Sequence, residues 1–112
     1  MISLKDLIDI NSAICMDVGQ ESVIINKNNL LSALSVQQWY DDPELLASAL
    51  IRSLTIGHGF QDGNKRTAAV VGMMIKDFNC SEDTMIDCIL QIATGQLKDA
   101  TEIASILYSE KE

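Results

Sequence analysis

Residues 64–78, NKRTAAVVGMMIKDF, hold Ala68, Ala69, Val70, Val71, Met73, Met74 and Ile75 in a nearly unbroken apolar run. At helical spacing these side chains cover most of a helix's circumference. Such a helix has little polar face to offer water and belongs in the centre of a domain. The rest of the chain must then cover it, and its punctuation says with what. There is a single proline, the glycines are scattered, and the other apolar residues recur at near-helical spacing. The predicted fold class is all-α: a compact bundle of about six short, antiparallel helices around a central helix, as one domain over residues 1–112.

Start and stop signals divide the chain further. The first helix is expected from about Ser3, a plausible N-cap, to Asp17, with Leu4, Leu7, Ile8, Ile14 and Cys15 as its apolar face. Residues 19–28 read as a loop in which Val23-Ile24-Ile25 forms a short extended piece. A second helix is expected from Asn28 or Asn29 to about Trp39. The third has the clearest start: Asp42 at the cap and Pro43 in the first turn, where a missing N–H is harmless. It runs to Gly57. The fourth occupies about Asn64 to Phe78, the fifth starts near Ser81 and ends before Gly95, and the last begins near Asp99. Asp99 and Glu102 have capping-box spacing, and the SEKE tail after it is expected to be solvated. Met16, Met73, Met74 and Met85 read as core filler. The Trp39-Tyr40 pair reads as core packing with a wet edge, or as a rim contact for a partner.

Charge narrows the function classes. There are 8 Lys and Arg against 16 Asp and Glu, a net −8. A general nucleic-acid binder needs a positive footprint, and docking on an anionic membrane needs the same. Direct binding to either is therefore not expected. No apolar run approaches the ~20 residues of a membrane helix, and the acids in MISLKDLIDI do not suit a signal peptide. Cys15, Cys80 and Cys88 are odd in number and fit no zinc spacing. They read as buried apolar thiols of a reducing compartment.

One segment stands apart: Gly57 to Thr67, GHGFQDGNKRT. It gathers the one histidine, two of the eight basic residues, an acid and closely spaced glycines between the two most apolar helices. If a helix starts at Asn64, its first N–H groups have no partner within the helix and carry the positive end of its dipole. Gly63 removes a Cβ that would keep an oxyanion away. Lys65 and Arg66 in that first turn face the unfavourable end of the dipole, which makes sense when an anion sits there; a nucleotide phosphate is the obvious one. Asp62 beside phosphate oxygens suits Mg²⁺. His58 can accept a proton from an attacking hydroxyl. Each residue alone has a plain structural reading; together and in this order they describe a phosphate-transfer site. The segment is neither a Walker A loop nor an EF-hand, whose spacings are absent.

The run His58-x-Phe60-x-Asp62-Gly63-Asn64-Lys65-Arg66-Thr67-Ala68 resembles the signature of the Fic/Doc family. The helix number fits a minimal Doc-type domain, and residues 93–108 also look Doc-like. The resemblance implies two versions of the site. In the nucleotidyl-transferring Fic form, glycine stands at the position of Lys65 and a second arginine at that of Ala69. The Doc form has the lysine and lacks that arginine, as here. It implies a Doc toxin: a protein kinase that moves the γ-phosphoryl group of ATP to a threonine-like hydroxyl of a translation factor resembling elongation factor Tu, stopping translation.

The implied roles are residue by residue. His58 is the catalytic base and Asp62 the Mg²⁺ ligand. Asn64, Lys65 and Arg66 hold the phosphates, and Gly63 with the following N–H groups forms the anion hole. Phe60 turns inward to anchor the loop. Gly59, where a proline would stiffen the backbone, implies a looser loop. No Glu is followed by Gly or Asn, so the inhibitory helix of many Fic proteins is not expected, and restraint would come from a cognate antitoxin protein. The setting implied is cytoplasmic, encoded by a bacterium or a phage or other mobile element. AMP transfer of the Fic type, and a noncatalytic partner-binding module, are the alternatives.

Overall fold

The computed structural model describes residues 1–109, so the tail beyond Ser109 lies outside the described residues. Most helices begin where a short polar side chain satisfies an orphan N–H. Ser3 caps α1 (Leu4–Asp17) by accepting from the Asp6 N–H, while the Asp6 carboxylate accepts from Ser3. Asn26 caps α2 (Lys27–Ser35) and Asp42 caps α3 (Pro43–Gly57). Ser81 caps α5 (Glu82–Ala93) and Asp99 caps α6 (Ala100–Leu107). Each such cap contributes about 1 kcal/mol. The exception is α4 (Asn64–Ile75), whose N-cap Gly63 has no side chain to offer.

The all-α expectation holds: among the described residues an isolated antiparallel bridge, Ile24 with Phe60, is the extent of β structure. That bridge is the short extended piece expected at residues 23–25. α2 starts earlier than expected because Asn26, rather than a later residue, takes the cap, and it gives way to a 3₁₀ turn at Val36–Gln38. α4 ends at Ile75 rather than Phe78. Lys76 is extended, which turns Phe78 back to meet Tyr108 at 5.7 Å between ring centroids.

The central helix is α3, not α4. α3 buries Ala47, Ser48, Ala49, Leu50, Ile51, Leu54 and Thr55, and touches α2, α4, α5 and α6. α4 packs on α3 and α1 but meets α5 only along an edge, which leaves Val70, Met73 and Met74 exposed. The core combines Leu7, Leu30, Leu50, Ile51, Val71, Ile92, Ile103 and Leu107 with Phe60 from the loop before α4. Each such side chain stabilises by about 1.5–3 kcal/mol through apolar burial.

Other expectations about packing change. Met16 is 75% exposed, so with Met73 and Met74 it is not core filler, whereas Met85 packs partly buried against the core. Trp39 is 76% exposed and lies outside the core. Cys15 and Cys88 are buried as expected, but Cys80 is half-buried. No helix among the described residues is long and apolar enough to cross a membrane.

Candidate functional site

The turn between α3 and α4 is built from the inside out. Phe60 is 1% exposed, its side chain sunk in the core as the sequence predicts. Its backbone is gripped from the other side: the Phe60 N–H donates to Asn64 Oδ1 at 3.0 Å and Asn64 Nδ2 donates to the Phe60 carbonyl at 2.8 Å. Asn64 thus spends most of its side chain closing the turn. Its backbone N–H and remaining amide hydrogen are what it can offer a ligand.

Gly59 does not loosen the loop. It is buried, and a Cβ there would fall 2.2 Å from Leu30 Cδ2. Its carbonyl accepts from the Ile25 and Asn26 N–H groups at 2.9 and 3.0 Å, while the Gln61 N–H donates to the Val23 carbonyl at 2.8 Å. Segment 23–26 therefore straps the outside of the turn.

At the two ends of the turn the backbone is left-handed. His58 ends α3 at φ 47° and is the one non-glycine residue with positive φ among those described. Its imidazole is exposed and makes no hydrogen bond to the described residues. Gly63 starts α4 at φ 78°, a conformation that disfavours any side chain. A Cβ there would meet Asn11 Nδ2 at 3.1 Å and Ile14 Cγ2 at 3.3 Å. The reason for glycine is therefore the close wall of α1 and the positive φ, more than clearance for a ligand.

The consequence is an uncapped helix start. The first helical bond runs from the Thr67 N–H to the Gly63 carbonyl at 2.9 Å. The N–H groups of Gly63, Asn64, Lys65 and Arg66 have no acceptor among the described residues. Lys65 and Arg66 are exposed and make no ion pair there, the recorded pair being Lys5–Asp9. Positive partial charge and two full cations thus stand together with no ion-pair partner among the described residues, the arrangement that receives an oxyanion.

These groups face a cavity of about 550 Å³, within the range of small-molecule sites. His58, Asp62, Gly63, Asn64, Lys65 and Arg66 all line it, so the residues expected to handle proton, metal and phosphate meet at one place. α1 and the segment after it supply the facing wall through Ile14, Cys15, Val18 and Gln20, which sequence reasoning missed, and Gln61 completes it. No group of three or more His, Cys, Asp or Glu side chains among the described residues could hold a metal. Asp62 alone suits Mg²⁺, which commonly takes one or two carboxylates and fills its shell with phosphate oxygens and water.

Sequence reasoning also missed Asn11. It is 0% exposed, and its Nδ2 donates to the Asp62 carbonyl at 2.8 Å and to Thr67 Oγ1 at 3.2 Å. A lone Asn on an amphipathic helix carries no signal of this, because its partners lie 51 and 56 residues away.

Comparison with known proteins adds one match. The model of the Fic/DOC family matches residues 1–75 of the 112, from α1 through the end of α4. The match takes in the whole turn and its facing wall, and leaves out α5 and α6. No curated protein matches the chain.

Proposed function

The chain belongs to the Fic/DOC family, and from that premise we propose that it is a Doc-type protein kinase, transferring the γ-phosphoryl group of ATP to a Ser or Thr hydroxyl of a translation factor such as elongation factor Tu. Family members are typically transferases acting on protein hydroxyls. The observation that carries the finer reading is the pair of uncompensated cations, Lys65 and Arg66, on an uncapped helix start, with Ala69 in place of a further arginine.

In this reading the chain's own groups do four things. The N–H groups from Gly63 to Arg66 and the two cations hold the phosphate chain and offset its growing charge. Asp62 would hold Mg²⁺, which when bound neutralises phosphate charge. Asn64 and the 23–26 strap keep the turn from yielding, so positioning is in place before substrate arrives. His58 takes the hydroxyl proton as the target oxygen bonds to the γ-phosphorus; the bond from that phosphorus to the β–γ bridging oxygen breaks, and ADP leaves. An antitoxin covering the cavity would restrain the activity.

The test is incubation with elongation factor Tu and ATP labelled at either the α or the γ phosphate, using wild type, His58→Ala and Asp62→Asn. Label should pass from the γ position only and be lost in both variants. Neither side chain makes a hydrogen bond to the described residues through its functional group, so both variants should stay folded. Transfer from the α position makes the protein a nucleotidyltransferase. Toxicity to a bacterial host that His58→Ala leaves unchanged makes it a noncatalytic module.

A further inference from the structure

We infer that Asn11 is the positioning residue of this site: its side-chain amide, buried in α1, sets the peptide that opens the anion-binding turn. The role in catalysis rests on the transferase reading, while the geometry stands without it. A fully buried amide must find partners for its hydrogens and its oxygen or incur the cost of desolvation. Asn11 finds them all. Nδ2 donates to the Asp62 carbonyl and Thr67 Oγ1, and Oδ1 accepts from Ser22 Oγ at 2.6 Å and Cys15 Sγ at 3.5 Å. With both ends of the amide committed, the ring of partners leaves one orientation for it.

Those partners are the parts that need to be held together. The peptide between Asp62 and Gly63 is trans, so its C=O and N–H point in opposite directions. Drawing the Asp62 carbonyl onto Asn11 turns the Gly63 N–H away from α1, and it has no acceptor among the described residues. Thr67 lies in the first turn of α4, so the same amide fixes the helix start to the residue that carries the proposed metal ligand. Ser22 leads into segment 23–26, which straps the outside of the turn. One side chain thus ties α1, the strap and the anion-binding turn.

The experiment compares Asn11→Leu, which keeps approximate volume but removes every bond, with Leu7→Ala. Leu7 is fully buried one turn earlier on α1 and touches none of the turn's hydrogen bonds, so it reproduces loss of stability without loss of positioning. ATP dissociation constants are measured well below each variant's melting temperature. Asn11→Leu should bind ATP at least about tenfold more weakly and Leu7→Ala as wild type. If Asn11→Leu fails to fold, Asn11→Asp, which keeps the shape and both accepted bonds but turns an oxygen on the Asp62 carbonyl, carries the same expectation. Unchanged affinity in the Asn11 variant, or equal loss in Leu7→Ala, overturns the inference. Wild type that binds no ATP defeats the nucleotide reading instead. Asn11 is then judged by the Gly63 and Asn64 amide resonances, which inorganic phosphate should shift in wild type and not in the variant; no shift in wild type, or equal shifts, also overturns it.

Discussion

Replacing His58 separates backbone strain from chemistry. The residue ends α3 in the left-handed region at φ 47° and ψ 49°. That conformation costs an L residue roughly 1–2 kcal/mol, and an exposed imidazole recovers little of it through burial. His58→Gly relieves the strain but returns about 0.5–1 kcal/mol to the entropy of the unfolded chain. The net change is a gain of about 0–1.5 kcal/mol. His58→Ala keeps the strained backbone with no compensating contact. The glycine variant should therefore be more stable than the alanine variant by about 1 kcal/mol, a gap of about 4 °C in Tm for a domain of this size. Circular-dichroism melts of the two variants read that gap, and the labelled-ATP assay on the same samples should show no transfer from either. A helix end selected for stability alone would carry glycine here; in the proposed function the strained histidine is kept for what its ring does. Equal melting temperatures, or a less stable glycine variant, would refute the strain argument. A glycine variant that still transfers phosphate would refute the role of the ring.

Gly63→Ala places a Cβ 3.1 Å from Asn11 Nδ2 at φ 78°. It should lose about 1–3 kcal/mol in urea unfolding; an unchanged midpoint would mean that α1 yields freely. Alkaline pH should destabilise the fold. Burial raises the Cys88 thiol to about 11, and burial likewise pushes the Tyr108 hydroxyl upward, which donates to the Lys76 carbonyl at 3.1 Å. Both groups are then protonated in the folded chain at a pH where the unfolded chain has released them. Stability is full below the ordinary cysteine value and falls as pH rises from there toward 11. Melting temperatures that stay flat from pH 8 to about 10.5 would contradict this.

What could be read from the sequence follows from where the information lies. The starts of α1, α3, α5 and α6 were legible because a cap acts over two or three residues, as Asp42 does on the Leu45 N–H. The lining of the candidate site was legible because His58 to Arg66 are nearly contiguous, and because two cations at the positive end of a helix dipole conflict with each other and with that dipole unless something negative joins them. Where the decisive partner is distant, local pattern fails. The apolar circumference of residues 64–78 looks like a centre, yet α5 covers only one edge of it and α3 takes the middle. Asn11 looks like a polar break in a helix face, yet it is among the most buried side chains of the chain. Its burial also explains a feature that the turn alone leaves open. A helix start with four N–H groups and two cations unpaired among the described residues has no internal reason to keep its shape before a ligand arrives. The restraint comes from behind, through Asn11 and Phe60, and from outside, through segment 23–26. All three hold backbone atoms of the turn and use neither the Lys65 nor the Arg66 side chain. In the proposed function anion affinity and loop order are set by different residues, and substitutions on the two sides should separate them: replacing Lys65 or Arg66 should weaken ATP binding with the turn intact, and replacing Asn11 should weaken it by changing the turn.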